Sequence, residues 1–131
     1  MIGLDTNVLV RYIAQDDAKQ SPKATRIIEN LSADAPGFVA IVTVVELVWV
    51  LEYSYQTKRA DIVAVLERLL RIKEVVTERA DLVWKSVRSY RESKADFADC
   101  LIAFCSVDAG CSEILTFDKL AAAAGGMTLI D

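Results

Sequence analysis

The chain opens on a short apolar run, Ile2, Gly3 and Leu4, that stops at Asp5. Val8, Leu9, Tyr12 and Ile13 then recur at helical spacing, which predicts a buried strand running into a helix. Ser21 followed by Pro22 reads as an N-cap with proline at the first helical position. Ala24, Ile27, Ile28 and Leu31 supply the apolar stripe of a second helix ending near Asp34. Residues 38–42 are short and β-branched, a second strand, and Thr43 opens a third helix, TVVELVWVLEYSY. Ile62, Leu66, Leu69 and Leu70 mark a fourth helix, EVVT a third strand, and Leu82, Val83, Val87 and Tyr90 a fifth helix. Ala98, Leu101, Ile102, Cys105 and Ala109 form a further stripe that ends at Gly110. EILT and MTLI are two last strands around the short helix KLAAAA. Strands alternating with helices predict an α/β fold, a three-layer α/β/α arrangement whose parallel sheet is covered on both faces.

The third helix is apolar on nearly all sides. Such a helix is either core or an association surface, for which Trp49, Leu51 and Tyr55 are the candidates. With 131 residues, 53% of them hydrophobic, and no linker or repeat, the expectation is one domain spanning residues 1–131. No stretch approaches the roughly eighteen apolar residues of a membrane span, and the N-terminus lacks the marks of a signal peptide. A cytoplasmic protein without a membrane partner is expected. Three cysteines with no CxxC point to buried reduced thiols.

There is no histidine. Ser-His-Asp and Cys-His hydrolases, histidine-based ribonucleases and HExxH proteases are therefore excluded, since each needs an imidazole as base or ligand. For an enzyme, carboxylates are the expected catalytic groups. The net charge of −4 and a pI near 4.9 weigh against a nucleic-acid binder until the distribution of charge is considered.

In a parallel sheet the carboxyl ends of the strands and the N-termini of the following helices share one edge, where ligands bind. Asp5 ends the first strand, Glu46 lies early in the third helix, Asp118 follows the fourth strand, and Asp99 opens the helix leading into that strand. Each has a local explanation. Thr43 and Glu46 fit a capping box, Asp5 and Asp118 fit N-caps, and Asp99 complements a helix dipole. Gathered along one edge, such like charges repel, a penalty that a divalent cation removes. Oxygen ligands without nitrogen or sulfur favour Mg2+, with Mn2+ able to substitute, and such ions commonly act on phosphates.

Four segments, LDTNVLV, TVVELVWVLE, ADFADCLIA and LTFDK, occur in this order, and the chain carrying them resembles the PIN domain, and within it the VapC-type toxins of toxin-antitoxin pairs. The resemblance covers essentially the whole sequence. It implies a five-stranded parallel sheet and a Mg2+-dependent endoribonuclease that hydrolyses RNA phosphodiesters with metal-activated water. The acidic cluster would be Asp5, Glu46, Asp99 and Asp118, both catalytic and metal-ligating, with Asp96 either a further ligand or an N-cap. Thr6, Asn7 and Thr116 match polar positions that orient ligands or water. An antitoxin that blocks the cleft and a homodimer are implied as partners. Between residues 82 and 94, Lys85, Arg88, Arg91 and Lys94 stand against a single acid, Glu92; a solvated helix face is the commoner use of such residues, but RNA backbone binding needs only a few well-placed cations. Two other readings compete. An aspartate-based phosphatase would want DxD at the first strand, where Asn7 stands; a non-catalytic RNA- or protein-binding module would have no use for a complete acid set.

Overall fold

A computed structural model describes all 131 residues. The chain forms two compact units, Met1–Ala80 and Asp81–Asp131.

The first unit contains β1 (Ile2–Gly3), α1 (Thr6–Ala14), α2 (Gln20–Glu29), β2 (Gly37–Val39), α3 (Ile41–Tyr53), α4 (Arg59–Leu70) and β3 (Val75–Thr77). Its strands form a parallel sheet in the order β1-β2-β3, with Ile2 opposite Gly37 and Gly37 opposite Val75. Helix α1 packs on α2 and α3, and α4 packs on α3 and β3. The core includes Leu9, Ile28, Ile62, Leu66 and Leu69 from the predicted stripes, together with Val10, Val44, Leu47, Val48 and Leu51; on α1 the predicted Val8, Tyr12 and Ile13 are only partly buried and on α2 Ile27 is exposed. Leu51 therefore belongs to the core and not to an exposed surface. Trp49 remains 59% exposed and Tyr53 64%, their rings 5.3 Å apart.

Two boundaries in this unit differ from the sequence reading. Ser21 lies buried inside α2, and the helix ends at Glu29. The capping work falls to Asp17, whose carboxylate accepts the amides of Lys19 at 2.9 Å and Gln20 at 2.7 Å and is thereby held below the usual carboxylate range. The second strand stops at Val39, and α3 begins at Ile41 with Ala40 as N-cap, so Thr43 lies inside the helix. An alanine cannot cap. The Glu78 carboxylate, following β3, accepts the Ile41 amide at 2.8 Å, and the Glu78 amide donates to the Val39 carbonyl at 2.9 Å. The β-branched run at 38–42 is thus divided by a partner 37 residues away.

The second unit contains α5 (Ala80–Glu92), which starts on the last residue of the first, then α6 (Phe97–Asp108), β4 (Leu115–Thr116), α7 (Lys119–Ala124) and β5 (Thr128–Leu129). Tyr90 and Phe97, both almost fully buried, meet edge to face at 5.8 Å. On α6 the buried residues are Phe97, Cys100 and Leu101, whereas Ile102 is 50% exposed and Ala109 lies at the surface, so the buried stripe is rotated from the predicted one. Of the three free thiols only Cys100 is buried; Cys105 is partly exposed and Cys111 exposed. Gly110, with φ of 99°, ends α6 as expected.

All five strands are present and every pairing is parallel, but they form a three-stranded and a two-stranded sheet in place of the single five-stranded sheet. The strands are only two or three residues long, so each ladder rests on a few hydrogen bonds.

Candidate active site

In the first unit the site begins where β1 gives way to α1. Asp5 occupies the N-cap position of α1 with extended backbone, φ −78° and ψ 160°, yet its side chain makes no capping bond. The carboxylate is exposed. Its carbonyl accepts the amides of Val8 and Leu9, so the backbone holds the residue in place while the side chain stays uncommitted. Thr6 follows, 4% exposed, and its hydroxyl donates to Oε1 of Glu46 on α3. This contact replaces the expected capping box, because Thr43 is not at the helix start and Glu46 reaches across to α1. Asn7 faces another way, lining a small pocket with Arg11 and Lys23 between α1 and α2.

In the second unit three acids share one neighbourhood. Asp96 is the N-cap residue of α6 but makes no side-chain capping bond. Asp99, in the first turn of α6, is partly buried; burial raises its carboxyl above the usual range, and the negative charges of Asp96 and Asp118 raise it further. Asp118 caps α7, its Oδ1 accepting the amides of Leu120 at 2.8 Å and Ala121 at 3.1 Å. Both bonds go to one oxygen, leaving Oδ2 for another ligand. The Asp118 amide donates to Oγ1 of Thr116 at 3.0 Å, which ties Thr116 to this turn.

No cationic side chain lies within 4.0 Å of Asp5, Glu46, Asp96, Asp99 or Asp118. Four of these carboxylates are therefore free of both capping and ion pairing: Asp5, Asp96 and Asp99, and Glu46, whose hydrogen-bond partner is the Thr6 hydroxyl. The donor chemistry suits a hard divalent cation. No group of three or more Cys, Asp or Glu side chains comes together closely enough to hold a metal ion. Of the basic residues, Lys85 and Arg88 line a pocket on α5 together with Ser89, Ser93 and Phe104; Arg91 and Lys94 are not in its wall. Phe104 escapes a reading by periodicity, since an aromatic residue inside an apolar helix reads as core.

An α/β chain with parallel strands and acids at strand ends and helix starts defines the class. The chain belongs to the PIN domain family, whose profile matches residues 2–126. It is also similar to a protein of Aquifex aeolicus (strain VF5) described as a VapC ribonuclease. The two are 27% identical over 117 residues, which cover 88% of this chain and 86% of that one.

Proposed function

We propose that the protein is a divalent-metal-dependent endoribonuclease, the toxin of a VapBC-type pair. The observation that carries this reading is the set of carboxylates left without counter-charge. Asp99 is raised by its own burial and by Asp96 and Asp118, and Asp5 stands unspent at the helix it should cap. Family membership and the ribonuclease named among its relatives support it.

In this reading Asp5, Glu46, Asp99 and Asp118, with Asp96 as a further candidate, hold Mg2+ or Mn2+. A bound divalent ion supplies activation of water and neutralisation of charge on the phosphate oxygens. Thr6 orients Glu46 by hydrogen bond, and Thr116 orients the Asp118 turn. Asn7 stays near Asp5 through the DTN segment while its side chain lines the pocket with Arg11 and Lys23, and Lys85, Arg88, Arg91 and Lys94 supply cations for the RNA backbone. The protein works in the cytoplasm, where an antitoxin restrains it. No helix is long and apolar enough to cross a membrane. The homodimer uses α3, whose Trp49 and Tyr53 lie at the surface.

The test is cleavage of total RNA with added Mg2+, with chelator, and with D5N and D99N in place of the parent. Metal-dependent cleavage that both substitutions abolish is the expected result. Cleavage that survives chelator, or both substitutions, overturns the proposal.

A further inference from the structure

We infer that the pocket between α5 and Phe104 is a nucleotide subsite, separate from the acidic cluster, that holds one residue of a single-stranded RNA. This rests on the ribonuclease reading and names where part of its substrate sits. The pocket has a volume of about 370 Å³ and lies wholly within the second unit. That is within the range of ~300–1,000 Å³ common for small-ligand sites.

Its wall is built from one helical face. Lys85, Arg88, Ser89 and Glu92 stand at positions i, i+3, i+4 and i+7 of α5, with Ser93 just beyond its end, and α6 contributes Phe104. Phe104 is partly exposed, so its ring is open to a ligand and not sealed in the core. Neither Lys85 nor Arg88 has a carboxylate within 4.0 Å, and Arg88 forms no ion pair with Glu92 four residues on, in a chain with more acids than bases. A face that served only solvation would gain from such i,i+4 pairing. Two uncommitted cations, two hydroxyls and an aromatic ring are instead the parts needed for a phosphate, a sugar and a stacked base. Phe104 follows Asp99 on the same helix by five residues, about 7.5 Å along its axis, which places the subsite beside the acid neighbourhood and on a different face.

The experiment is fluorescence anisotropy of a labelled ten-nucleotide single-stranded RNA with the metal-free protein, across a salt series. F104L is expected to weaken binding by about 5- to 150-fold, the range for loss of one base stack, and F104W to restore it. The double variant K85A/R88A is expected to reduce the slope of log affinity against log salt by about 1.4, from ~0.7 for each lost phosphate contact. E92Q, which removes the one acid in the wall, is expected to tighten binding. Far-ultraviolet circular dichroism on each variant separates loss of binding from loss of fold.

Parental affinity in a folded F104L, an unchanged salt slope in K85A/R88A, or tighter binding of a polyglutamate peptide than of RNA would each overturn the subsite. The ribonuclease reading fails on a different measurement. If the parent does not cleave RNA with Mg2+ but F104L still shows the predicted loss of RNA binding, the subsite stands and the activity does not.

Discussion

The Thr6 hydroxyl donates to the Glu46 carboxylate across 40 residues of sequence, linking the first turn of α1 to α3. Thr6 is buried and Glu46 is exposed, so the bond holds a solvent-facing acid against a rigid support. It determines where one proposed metal ligand points.

Replacing Thr6 with valine keeps the shape and removes the donor. The expected cost in stability is about 1 kcal/mol. The Mg2+ affinity should fall by about 10- to 100-fold, as for other groups that orient a ligand, and T6S should recover most of it. Urea unfolding and isothermal titration with Mg2+ measure the two effects. A T6V protein with parental Mg2+ affinity would mean that Glu46 needs no orientation.

Asp99 should destabilise the metal-free protein at neutral pH. Burial, and then the charges of Asp96 and Asp118, raise its folded-state carboxyl above the unfolded value. The folded state therefore binds the proton more tightly. Its contribution to stability is present at acid pH and is lost as pH rises through the raised value. D99N removes the titration. In chelator, its melting temperature should exceed that of the parent at pH 7, and the gap should narrow as pH falls below the raised value. A D99N protein that melts lower than the parent at pH 7 would show that this carboxylate is supporting the fold.

Glu78 caps α3 from outside the helix by accepting the Ile41 amide. E78A should cost about 1 kcal/mol, typical of a lost N-cap, and E78Q much less because the amide oxygen still accepts. Urea midpoints for the two variants are the check. Equal loss in both would point to the charge of Glu78 and not to the bond.

The exposed pair Trp49 and Tyr53 should make the oligomeric state sensitive to W49E. Sedimentation velocity on the parent should give twice the 14.4 kDa chain mass, and W49E should shift it towards the monomer. A parent that sediments as a monomer at high concentration excludes α3 as a dimer face.

Periodicity along the chain was enough to place every helix and all five strands, because each needs only local spacing of apolar side chains. The absence of histidine turned attention to the carboxylates as candidates for catalysis. Helix starts were less legible. The cap of α2 was assigned to Ser21, where a Pro follows, but Asp17 performs it four residues earlier. Local capping rules rank residues without knowing which one the turn brings to the amides.

By itself the sequence determined the α/β alternation, the positions of Asp5, Glu46, Asp99 and Asp118 near strand ends and helix starts, and the scarcity of counter-charge in their motifs. Only the tertiary structure decided how each acid is used. Asp118 caps α7 with one oxygen, Asp5 and Asp96 sit at cap positions without capping, and Glu46 pairs with Thr6 in place of Thr43. It also decided that the strands form two ladders, and that α3 starts at Ile41 because Glu78 arrives there. Helical and strand periods are properties of neighbouring residues. A hydrogen bond spanning 37 or 40 residues depends on which segments become neighbours in space, and that is settled only when the core has packed.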